Sequence, residues 1–154
     1  MINTCCFFGH REINESEELK RQLYTIIEDL IINKNVNTFL FGSKSEFDDL
    51  CHEIVSILKE NHPNIKRIYV RAEYPDINEQ YKNFLLKHYK ETYFPEKLRN
   101  SGKAVYIKRN YEMIDKSEFC VVYYHIEDKP TTRQSGTETA LNYANKKAKK
   151  IIYL

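Results

Sequence analysis

The sequence predicts a single open α/β domain spanning residues 1–154: a doubly wound, mainly parallel sheet of five strands with helices on both faces. Three observations carry this expectation. Short apolar, β-compatible runs alternate with amphipathic segments of helical period along the whole chain. The 154 residues suffice for one packed core and fall short of two typical domains. Three of the four glycines stand where a strand gives way to a helix.

The first strand is "INTCCFF" (2–8), nearly continuous in apolar character, as a parallel strand covered on both faces must be. From Ser16 to Ile32, Leu19, Leu23, Ile26, Ile27, Leu30 and Ile31 recur at three- and four-residue spacings and define one helical face. "NTFLFG" (37–42) is the second strand, and Phe47, Leu50, Cys51, Ile54, Ile57 and Leu58 repeat the helical stripe until Pro63 ends it. "IKRIYVRA" (65–72) and "EFCVVYYHI" (118–126) are the third and fourth strands. Between them Tyr81, Phe84, Leu85, His88 and Tyr89 predict one helix over 78–94, and "AVYIKRNYEMIDKS" (104–117) predicts another. "QSGTETALNYANKKAKK" is the last helix and "KIIYL" (150–154) the fifth strand.

Parallel strands need crossover connections, and these are right-handed. A Rossmann-like order, 3-2-1-4-5, puts the switch point between strands one and four, where such sheets bind ligands at the carboxyl ends of their strands.

Composition narrows the functional classes. The 24 Lys and Arg against 22 Asp and Glu argue against a dedicated nucleic-acid binder, which carries a basic excess. Cys5, Cys6, Cys51 and Cys120 show no metal-site spacing and are read as reduced core residues, with Cys5 and Cys6 pointing to opposite faces of their strand. No cofactor signature and no metal site is expected. No apolar stretch approaches the roughly 18 residues of a membrane span and no basic-then-apolar leader opens the chain, so the expected location is the cytoplasm, away from membranes.

The loops after strands one, two and four carry polar groups suited to an anion. Gly9, His10 and Arg11 combine a glycine, an imidazole and a guanidinium. Gly42 and Ser43 are followed by Glu46 and Asp48. Ser135, Gly136 and Thr137 supply hydroxyls at a helix start, whose unpaired N–H groups and dipole favour a phosphate. If the strand order holds, the "GHR" and "SGT" loops face each other across the crevice.

The ordered set "CCFFGHR", "FLFGSKSEFDDL", "YIKRNYEMIDKSEFCVVYY" and "SGTETALNYA" resembles the SLOG superfamily, Rossmann-like domains related to the LOG cytokinin-activating phosphoribohydrolases and the DNA-processing protein A family. The resemblance runs from residue 2 to residue 154 and implies a nucleotide or nucleotide-derived ligand. It places ligand contacts at Gly9, His10, Arg11, Gly42, Ser43, Glu46, Asp48, Arg109, Asn110, Ser135, Gly136 and Thr137. It also implies a partner of nucleotide type and self-association into a homo-oligomer. The LOG motif Pro-Gly-Gly-x-Gly-Thr-x-x-Glu is not kept: with its Gly-Thr on Gly136 and Thr137, Ala140 stands in place of the glutamate, and Thr132 and Arg133 in place of the first two residues.

Individual residues keep two readings each. Arg11 either contacts a ligand phosphate or pairs with Glu12 or Glu15, and His10 is either a ligand contact or a plain loop residue. Glu46 and Asp48 are ribose ligands or simply first-turn acids that complement the helix dipole. Apart from the resemblance, Arg109 and Asn110 read as a solvated helix face. Glu138 is a general base, a ribose ligand or an acid of the helix start. Three functions follow: a non-catalytic nucleotide-binding module acting as sensor or sequestering protein; an N-glycoside hydrolase or transferase on a nucleoside monophosphate with Glu46, Asp48 or Glu138 as its catalytic acids; and, by analogy with the DNA-processing protein A family, single-stranded nucleic-acid binding, which the near-neutral charge disfavours.

Overall fold

The computed structural model describes residues 3–42, 44–125 and 136–154. Its elements follow one another as β1 (Thr4–Gly9), α1 (Glu17–Asn33), β2 (Thr38–Phe41), α2 (Glu46–Asn61), β3 (Lys66–Val70), α3 (Glu79–Leu86), β4 (Glu91–Tyr93), α4 (Val105–Asp115), β5 (Phe119–Tyr123), α5 (Gly136–Lys146) and β6 (Lys150–Tyr153). All strands are parallel, in the order β4-β3-β2-β1-β5-β6. The five strands expected from sequence, β3-β2-β1-β5-β6, keep the Rossmann-like order, and β1 with β5 forms the switch point, in register from Cys5 opposite Phe119 to Gly9 opposite Tyr123.

The sheet has six strands rather than five. The helix expected over 78–94 stops at Leu86, where His88 and Tyr89 both donate their N–H groups to the Leu85 carbonyl. The chain then turns, and Glu91–Tyr93 pairs outside β3 as an edge strand. Three residues are too few to show a period of two, so the helical spacing of the aromatic residues before them dominated the reading.

The two sheet faces bury separate cores. Leu19, Leu23, Ile27 and Leu30 of α1 and Phe47, Cys51, Val55 and Leu58 of α2 pack with Cys5, Phe7, Phe39 and Phe41 on one face. Met113 and Ile114 of α4 and Ala140 and Ala144 of α5 cover Cys6, Leu40, Cys120 and Val122 on the other. All four cysteines are buried free thiols, and Cys5 and Cys6 lie on opposite faces. Ser16 and Ser45 cap α1 and α2, their hydroxyls accepting the N–H of Leu19 and Asp48. No helix among the described residues is long and apolar enough to cross a membrane.

Candidate functional site

Among the described residues, two of the cavities at the carboxyl ends of the strands have Arg11 in their lining. The first, of about 400 Å³, lies beyond β2 and β3. Its size falls in the range of about 300–1,000 Å³ that holds small ligands. Four cations face it: Arg11, Lys44, Arg71 and Arg109.

Gly42 is what allows Arg109 to be there. A Cβ on Gly42 would stand 2.7 Å from Arg109 Cδ and 2.9 Å from the Val70 carbonyl. Without it, the buried arginine reaches across from α4 and donates from Nη1 to the Gly42 carbonyl at 2.5 Å, while Nε donates to Asn110 Oδ1 at 2.9 Å. Arg109 and Asn110 are therefore a buried cation and its support, in place of a solvated face. Burial lowers the arginine's pKa, opposed by Asp48 and Tyr69 nearby.

Arg71, just past β3, is also buried. Its guanidinium donates to the carbonyls of Tyr74 (3.2 Å) and Pro75 (3.3 Å) and to Thr92 Oγ1 (3.1 Å), all neutral acceptors. Among the described residues none of Arg11, Lys44, Arg71 and Arg109 makes an ion pair. The cleft thus concentrates positive charge that the fold leaves uncompensated at contact distance.

Asp48, in the first turn of α2, does not cancel it. Burial pushes its carboxyl up to about 8, outweighing the Arg109 charge and the Gly42 N–H that favour the ionised form. Its Oδ1 is buried without a hydrogen-bond partner. The raised pKa favours the neutral acid and weakens its answer to the Arg109 charge. Among the described residues Glu73 is the one acid that lines the cleft. The Tyr106 hydroxyl donates to it and holds its pKa below the usual value, with burial opposing and Lys44 assisting.

The second cavity, of about 670 Å³, lies at the switch point and is lined by His10, Glu46 and Tyr123 besides Arg11. His10 Nε2 accepts the His125 N–H at 2.8 Å, which assigns the proton of the neutral ring to Nδ1. Glu46 Oε1 accepts the Ile13 N–H at 2.8 Å, and the Glu46 N–H donates to the Arg11 carbonyl at 2.8 Å. These two bonds fix the loop carrying Arg11 to the start of α2.

Gly9 serves packing: a Cβ there would lie 2.3 Å from the Phe47 ring, which stacks on Tyr123. The first and last loops do meet, with Thr137 Oγ1 donating to the Gly9 carbonyl at 2.8 Å and Tyr124 donating to Glu138 Oε1 at 3.0 Å. Among the described residues nothing lies within 4 Å of a Cβ built on Gly136. Ser43 and Ser135 lie outside the described residues.

Of the residues chosen from sequence, Arg11, Gly42 and Arg109 come together at the first cavity, and His10, Arg11 and Glu46 at the second. The three candidate acids are dispersed: Glu46 holds a loop, Asp48 is sealed beneath Gly42, and Glu138 accepts from Tyr124. Sequence reasoning missed Lys44, Arg71, Glu73 and the cleft tyrosines Tyr69, Tyr74, Tyr81 and Tyr106. One signal was present in "YVRA", where an arginine directly follows the apolar end of a strand.

No protein-family profile matches the chain. Over 147 aligned residues, covering 84% of this chain and 81% of the relative, it is 33% identical to the uncharacterized SPbeta prophage-derived protein YoqJ of Bacillus subtilis (strain 168). By this shared sequence over most of both lengths, the chain belongs to the family of the prophage-derived protein YoqJ.

Proposed function

We propose that this protein binds a nucleotide or nucleotide-derived ligand at the carboxyl edge of its sheet, as a sensor or sequestering module of SLOG type. The observation that carries the reading is the gathering of Arg11, Lys44, Arg71 and Arg109 around one cleft with no ion-pair partner among the described residues. Arginine suits phosphate because its planar fork donates two parallel hydrogen bonds. The neutral acceptors around Arg71 and the raised pKa of Asp48 keep that charge available.

Incubating the protein with nucleoside monophosphates, nucleoside diphosphates, dinucleotides and their nucleosides, then identifying bound and free species by mass spectrometry, tests this. Retention of an intact phosphorylated species is the expected result; retention of nucleosides alone contradicts it. Accumulation of free base or ribose phosphate, abolished by changing Glu46, Asp48 or Glu138, would instead establish an N-glycoside hydrolase. Arg11→Ala is expected to weaken a nucleoside monophosphate about tenfold or more, the order of one charge-assisted hydrogen bond, and to leave its nucleoside nearly unchanged. Equal losses in a direct titration would remove Arg11 from phosphate contact.

A further inference from the structure

Tyr74 has a φ of 58°, the left-handed region that a bulky aromatic residue adopts only when its surroundings impose it. Arg71 imposes it here, through its bonds to the carbonyls of Tyr74 and Pro75. The consequence is a ring that lines the cleft yet remains 57% exposed. Tyr81, from α3, meets it edge to face, with centroids 6.2 Å apart and planes at 81°. Neither ring belongs to the two buried cores. Two perpendicular rings make a corner, in which a flat ligand stacks on one and presents an edge to the other.

Glu73 stands beside this corner as the one carboxylate among the described residues that line the cleft. Ionised, it can only accept hydrogen bonds. It therefore favours a base edge that carries donors side by side. Guanine has such an edge, with N1–H next to its amino group, whereas adenine places an acceptor next to its single amino group.

We propose that Tyr74, Tyr81 and Glu73 form a base subsite for a guanine nucleotide, the ring stacked on a tyrosine and its donor edge on Glu73, with the phosphates toward Arg11, Lys44 and Arg109. The proposal rests on the reading of this cleft as a nucleotide site. It assigns a role to the segment after β3, which the sequence left without one.

Calorimetric titration of GMP, IMP, AMP and inorganic pyrophosphate tests it. The wild-type protein is expected to bind GMP about tenfold more tightly than IMP or AMP. Tyr81→Ala, or Tyr81→Leu if the alanine variant is poorly folded, should weaken GMP about tenfold, as loss of one stacked base does, and leave pyrophosphate within twofold. Glu73→Gln should erase the preference for GMP over AMP. Tyr74→Gly should raise the thermal midpoint by relieving the backbone while weakening GMP, a combination that a purely structural tyrosine would not give. A wild-type preference for AMP, equal binding of all three nucleotides, or GMP affinity unchanged in the Tyr81 variants overturns the subsite. If pyrophosphate still binds in those cases, the phosphate cleft stands without it; failure of pyrophosphate and every nucleotide to bind overturns both.

Discussion

Gly42 and Arg109, far apart in sequence, act as one feature. The glycine has no side chain because the arginine occupies that space, and the arginine is buried because the strand end offers it a carbonyl. Gly42→Ala is therefore expected to cost about 1–3 kcal/mol, the usual range for overpacking, read from denaturant unfolding. Unchanged stability would mean that the guanidinium moves aside freely. Asp48 makes a second prediction at this scale. Its folded-state pKa, pushed up to about 8, lies above the ordinary carboxylate value near 4, so the folded protein holds this proton more tightly than the unfolded chain. Its contribution to stability is fully present below about pH 4 and is lost as pH rises toward 8, at no more than about 1.4 kcal/mol per pH unit. Asp48→Asn should remove that slope, gaining on the wild type between about pH 5 and pH 8 in unfolding curves. Parallel curves would show that Asp48 ionises normally. None of this was legible from spacing, because "KRN" in an amphipathic helix reads as solvated until a distant glycine makes room for it.

At the scale of elements, the sequence revealed the strands and helices whose apolar period is long and hid the shortest. α1 and α2 announced themselves by stripes of core residues, and the structure adds the serine cap at the start of each. β4 did not, since "ETY" is polar, three residues long and on the sheet edge. What holds it is side-chain bonding as much as the ladder. Thr92 Oγ1 donates to the Tyr69 carbonyl at 2.9 Å and accepts from Arg71 Nη1 at 3.1 Å. Glu112 of α4 accepts the Tyr93 hydroxyl at 3.0 Å and pairs with Lys97 at 2.9 Å, fastening the strand and the turn after it to the far side. Thr92→Val keeps the shape and removes both hydroxyl bonds. It should cost about 1–3 kcal/mol in denaturant unfolding, the penalty for leaving buried polar groups unpaired. A loss under half a kilocalorie would show that water replaces them.

For the whole molecule, the alternation of strand and helix was enough to place the switch point, and with it the loops of His10, Arg11 and Thr137. It was not enough to locate the main concentration of charge. The net charge of +2 describes a nearly balanced surface, yet four cations converge on one cleft beyond β2 and β3. A composition sums over the surface and cannot register such a local excess, which arises because the segments after β1, β2 and β3 and the helix α4 meet there. The same convergence makes phosphate number the variable to which binding should respond. The most direct test is therefore a calorimetric titration of wild-type protein and Arg109→Gln with a nucleoside, its monophosphate and its diphosphate at one fixed salt concentration. Affinity that climbs with each phosphate in the wild type, and climbs far less in the variant, is the result expected of a phosphate-binding cleft. A nucleoside bound as tightly as its diphosphate, or a series indifferent to Arg109, would contradict it.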